Sequence, residues 1–185
     1  MRAIALLTGL LMAGGASAAP ADRADIGQIM QQLGMGRLGA DSATGLIENF
    51  PALQMQDAAG KACATQQVSA MLDVQVQQGI VDSMGADGTS LVKEWKTFLA
   101  TDSGSDMART FQATAAAIAS GDADFDAGLD EDRKAEISRF MATPAFQRFI
   151  DGFGSESQLP ADIGQRLVDV LQRECRIALD PEQIS

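Results

Sequence analysis

EISRFMATPAFQRF, Glu136 to Phe149, is present in this chain in two versions. Moved back by 42 positions it falls on Glu94 to Met107, EWKTFLATDSGSDM. Glu94/Glu136, Phe98/Phe140, Ala100/Ala142 and Thr101/Thr143 are identical. Trp95/Ile137, Leu99/Met141 and Met107/Phe149 exchange one apolar residue for another. Each version reads as the last turns of an amphipathic helix, a tight turn at Thr101 or Thr143, and the opening of a second helix. The repeat, about 91–107 and 133–149, is thus a structural unit, because what it preserves is a Phe stripe and a capping Thr.

Outward from the repeat the helical period continues. Leu91, Val92, Trp95, Phe98 and Leu99 make a stripe wide enough to bury. Ser90 is the expected cap of that helix. Ser103 and Asp106 fit a capping box for the helix after it, whose face is Met107, Phe111, Thr114, Ala115 and Ile118. In the second version Thr143 caps and Pro144 takes the first turn, where its missing N–H is harmless. Phe146, Phe149, Ile150 and Phe153 follow as an apolar face, and Gly152 and Gly154 close it.

Before the repeat, Ile26, Ile29, Met30 and Leu33 define a short helix stopped at Gly34. Asp41 and Ser42 are expected to cap a second, ended by Pro51. Asp57 to Met84 is the longest helical candidate. Val68, Leu72, Val76 and Ile80 form one row, and Cys63, Ala70, Val74 and Val81 lie on another face, so a central helix touched from both sides is expected. After the repeat, a last helix starts between Pro160 and Asp162 and runs to about Leu179. No alternating β-branched run suggests a strand. The expected fold class is all-α, with seven or eight helices packed as αα-hairpins in one bundle-like domain.

The chain has 185 residues, a usual size for one domain. Met1 to Ala18 has the layout of a cleaved secretory signal: Arg2, an apolar run from Ala3 to Met12, then Ala16-Ser17-Ala18. Residues 19–185 would then form the single helical domain. The apolar run is too short for a spanning helix, which needs about 20 residues. The expected location is periplasmic or secreted, without membrane insertion after cleavage. Formal net charge is −11, and loss of Arg2 with the leader makes the remainder one unit more negative. Such a surface repels phosphate backbones, so nucleic acid is not an expected partner. Cys63 and Cys175 are the only cysteines, and in an exported chain they are expected to pair. The alternative is two buried free thiols.

Helix-Phe-x-x-Thr-Pro-helix, carried by Phe140, Thr143 and Pro144 with Met141 inside it, resembles the pattern of the domain of unknown function 2059 family. Phe146 stands where that family places Gly, and the earlier version has Asp102 in place of Pro. The resemblance covers about Leu91 to Phe153. It implies export and helices, and no reaction.

The chain contains no His and no Tyr. That removes His-based triads, most zinc sites and the commonest general base. Carboxylates remain. Asp122, Asp124 and Asp126 begin like a calcium loop, with Asp130, Glu131 and Asp132 following, but Ala127 and Arg133 occupy the positions that need Gly and Glu. Glu156-Ser157 resembles the Glu-Ser pair of lysozyme-like transglycosylases without their following element. The methionines lack the clustered spacing of a copper site. Neither a metal nor a cofactor is expected. Trp95, Phe98, Phe140 and Phe146 are the candidate ligand or partner residues, and the same four equally suit a core. The leading functional expectation is non-enzymatic binding to another envelope protein. A carrier of a small apolar ligand between helices is the alternative, and a carboxylate-dependent hydrolase comes after it.

Overall fold

Asp57 opens the helix on which the rest is assembled. Its carboxylate accepts the Gly60 N–H at 2.7 Å and starts α4, Ala58–Met84, in a computed structural model that describes residues 18–120, 129–154 and 161–179. Twenty-seven residues at 1.5 Å each make α4 about 40 Å long. It runs through two apolar clusters. Ala64 and Val68 enter one, and Val76, Ile80 and Met84 enter the other.

Around α4 the chain places α1 (Arg23–Gln32), α2 (Leu38–Asn49) and the one-turn α3 (Pro51–Gln54) before it. After it come α5 (Gly88–Leu99), α6 (Asp102–Ser120), α7 (Glu131–Met141), α8 (Pro144–Gly154) and α9 (Ile163–Cys175). Apart from α3, these are eight helices of ten residues or more among the described residues. The protein is all-α and bundle-like, as the periodicity requires. α2 and α8 make the most extensive contacts with α4. Among the described residues no helix is long and apolar enough to cross a membrane.

The two versions of the repeat turn with matching bonds. Thr101 N–H donates to Phe98 O at 2.9 Å, and Thr143 N–H to Phe140 O at 2.9 Å. The Thr101 hydroxyl accepts the Gly104 N–H at 3.0 Å, and the Thr143 hydroxyl faces the Phe146 N–H at 3.4 Å. A short hydroxyl on the turn residue satisfies a donor that the first helical turn leaves orphaned. Thr101 therefore takes the capping role expected of Ser103.

Ser103 and Asp106 are instead buried against α7. The Ser103 hydroxyl donates to Glu136, and the Asp106 carboxylate accepts from Arg109 and Arg133. A buried carboxylate held by two guanidiniums is among the stronger pairings, since hydrogen bonds to charged groups contribute about 1.5–3 kcal/mol. We expect Asp106→Asn to destabilise the protein by about 1–3 kcal/mol in urea titrations. Asp102→Asn, at a side chain 92% exposed, should leave the midpoint in place.

Other boundaries also moved. α2 begins at Leu38, before the expected caps Asp41 and Ser42, because a 3₁₀ turn over Met35–Arg37 runs directly into it. Pro51 ends α2 and also opens α3, with Phe50 held extended ahead of the proline ring. α5 starts at Gly88, with Thr89 N–H donating to Ala19 O at 2.9 Å and its hydroxyl to Pro20 O at 3.0 Å. Backbone carbonyls from the start of the described chain thus replace the side-chain cap expected from Ser90. α9 stops at Cys175, four residues short of Leu179. Arg176 turns left-handed (φ 59°), and the Ile177 N–H returns to Leu171 O at 3.1 Å.

The second face of α4 divides. Val81 packs on the cluster of Val76, Ile80 and Met84, whereas Ala70 is exposed and Val74 is 47% exposed. Cys63, at its N-terminal end, forms the expected disulfide with Cys175, Cα–Cα 5.7 Å. That bond holds the end of α9 on α4 beside Leu53, Leu167, Leu171 and Ile177.

Candidate functional site: an open groove beside a closed aromatic core

The four aromatic residues singled out by sequence come together, and they meet one another. Trp95 is fully buried, and Phe98, Phe140 and Phe146 are nearly so. Phe98 and Phe140 stack with centroids 3.8 Å apart. Trp95 meets Phe140 edge-on at 4.8 Å, Phe146 at 5.7 Å, and Phe149 at 4.8 Å. The indole N–H donates to Ala145 O at 2.8 Å, so its single polar atom is satisfied inside the core. The space between the two versions of the repeat is therefore packed, and in this conformation none of the four rings offers a free face to a ligand. Each aromatic pair adds about 0.5–1.5 kcal/mol beyond area burial.

Of the acidic candidates, Asp122, Asp124, Asp126 and Glu156 lie outside the described residues, as does Ser157 beside Glu156. Asp130 caps α7 through the Arg133 N–H at 2.9 Å, and Glu131 pairs with Lys134 at 3.2 Å. Asp132 sits in the first turn of α7, beside Glu131, where the helix dipole favours negative charge. Among the described residues no three His, Cys, Asp or Glu side chains converge to hold a metal ion. Met30, Met84 and Met107 are core residues, whereas Met55 and Met141 are exposed.

The open feature lies elsewhere, where α2, α4 and α8 meet. A groove of about 560 Å³ is lined by the apolar Leu38, Leu72, Val76 and Phe153. Its polar lining is Gln75, Gln78, Asp82 and Ser83 of α4, Ser42 of α2 and Asp151 of α8. It follows α4 from Leu72 to Ser83, about 16 Å at 1.5 Å per residue. Gly152 sets its depth. A Cβ there would lie 2.5 Å from Ile80 Cα and 2.8 Å from Gly79 O, so the α8 backbone rests directly on that of α4. The side chains flanking this contact are left facing open space.

Asp73, on α4, packs against Gly39 of α2 and does not line the groove. Burial raises its carboxyl above the usual carboxylate range, and the hydrogen bond from the Gly39 backbone partly opposes this. A raised folded-state value means that Asp73 favours folding fully only below the unfolded value of 3.8, and that this contribution is lost as pH rises through the folded value. Asp73→Asn should therefore melt at a higher temperature than wild type at pH 7, with the gap closing near pH 3. A gap independent of pH would remove this account.

A second concavity, about 360 Å³, is lined only by apolar residues: Phe50, Pro51, Ala52, Leu53, Met55, Leu167 and Leu179. Met55 stands at its edge, 81% exposed.

Comparison with protein-family models, with curated proteins and with solved structures finds no match to this chain. The site must therefore be argued from its chemistry. Sequence reading missed the groove because its walls come from segments far apart in the chain. The signal it contained was Gly152, read as a helix stop and used instead for close helix contact.

Proposed function

We propose that this chain is an exported, non-enzymatic helical module that holds an extended segment of another envelope protein in the α2–α4–α8 groove. The observation that carries the reading is the groove itself: about 16 Å long, with apolar side chains, amides and hydroxyls together in its lining. Side-chain amides and hydroxyls among apolar residues suit a peptide, whose backbone needs donors and acceptors while its side chains need burial. The closed aromatic core favours a partner on the surface over a ligand held between the repeats.

Export is supported by the leader-like Met1 to Ala18 and by the Cys63–Cys175 bond, a type that persists in oxidising compartments. Membership of the domain of unknown function 2059 family, suggested by Phe140, Met141, Thr143 and Pro144, belongs to the same proposal.

A photo-crosslinking residue placed at Gln75, in the groove, and separately at exposed Glu48 tests the reading in intact cells. A discrete adduct from position 75 alone is expected. No adduct, or the same adducts from both positions, counts against it. The apolar concavity beside Met55 favours a second reading, a carrier of a small apolar ligand. Native mass spectrometry of the purified protein would show co-purifying lipid in that case, and bare protein would dismiss it.

A further inference from the structure

We infer that the segment held in the α2–α4–α8 groove is basic, with a Lys or Arg side chain placed between Asp82 and Asp151. This rests on the reading of the groove as a peptide site and adds the chemistry of the occupant.

The charge of the groove is one-sided. Its only ionisable lining groups are the carboxylates of Asp82 on α4 and Asp151 on α8, both exposed. Asp82 accepts one hydrogen bond, from the Gln78 amide at 2.8 Å, and Asp151 has no ion pair among the described residues. The basic residues of the surrounding elements do not line the groove. Arg148 of α8 donates to Met84 O at 2.9 Å and faces Asp87 at 3.7 Å. Arg37, ahead of α2, faces Asp41 at 3.9 Å. The only cation of α4 is Lys61, near its opposite end. The chain as a whole carries −11, so its field also draws cations toward this surface.

A bare metal ion would leave the apolar lining without a use, and the described residues bring no three ligands together. A Lys or Arg side chain uses both parts: its methylenes lie on Leu72, Val76 and Phe153 while its charged end reaches the carboxylates. About 16 Å of groove accommodates roughly five extended residues at 3.3 Å each.

Fluorescence anisotropy with pentapeptide libraries of alternating Leu and Ala tests this, using a central Lys in one library and Gln in the other. The Lys library should bind the purified protein roughly fivefold more tightly, the upper end of what an exposed ion pair supplies. That preference should fall away in 0.5 M NaCl and in Asp82→Asn/Asp151→Asn, whose unchanged melting temperature would show intact folding. Equal binding of both libraries to wild type overturns the basic occupant while leaving the peptide site standing. Absence of binding by either library removes both the site and the inference. Occupancy by n-butylammonium as tight as by the Lys library identifies a small-cation site and overturns the peptide.

Discussion

Cys63→Ala combined with Cys175→Ala is expected to lower stability by about 4–5 kcal/mol, the chain-entropy value for a loop of this length. The melting temperature should fall by roughly 10 °C or more. The bond closes a separation of 112 residues, so its loss frees a large part of the unfolded chain. It also releases the end of α9, whose Leu167 and Leu171 complete the apolar cluster of Ala64 and Val68 with Ile177. Thermal melts followed by circular dichroism, with and without reductant, make the measurement. Reduced wild type should melt with the double variant, and a midpoint indifferent to reductant would sink the idea.

Trp95→Ala is the second large effect, about 3–5 kcal/mol, as for other buried aromatic truncations. The indole touches three Phe rings from α7 and α8, and its removal leaves a cavity that helices fixed by Gly152 on α4 cannot readily close. Trp95→Phe should cost less, about 1–3 kcal/mol, because an aromatic ring remains while the Ala145 carbonyl loses the indole donor. Trp95 is the only Trp, so far-UV circular dichroism in urea is the appropriate signal. An Ala variant within about 1 kcal/mol of wild type would mean the cluster is loosely packed. Trp95, Phe98, Phe140 and Phe146 would then return as a ligand face.

Local elements were legible wherever neighbours along the chain supply the physics. Asp57 and Asp130 cap the helices that follow them, through side chains that reach only three residues ahead. The 42-residue repeat carried its own turn, because a Thr hydroxyl and a Phe carbonyl three residues before it suffice to close it. Caps supplied from elsewhere were not legible. Ala19 and Pro20 bond to Thr89 across about 70 residues of chain, and nothing near Thr89 announces them.

The same division holds for the candidate site. By itself the sequence determined an all-α protein and the approximate course of its helices, since periodicity and composition act locally; the Cys63–Cys175 pairing, across 112 residues, was an expectation that the tertiary structure decided. Tertiary structure alone decided that the aromatic stripe closes on itself. It also decided that Asp82, Asp151, Gln75 and Ser42 share an open groove. The reason is contact geometry: the depth of that groove depends on how closely α8 approaches α4 at Gly152, and helical spacing carries no record of that distance.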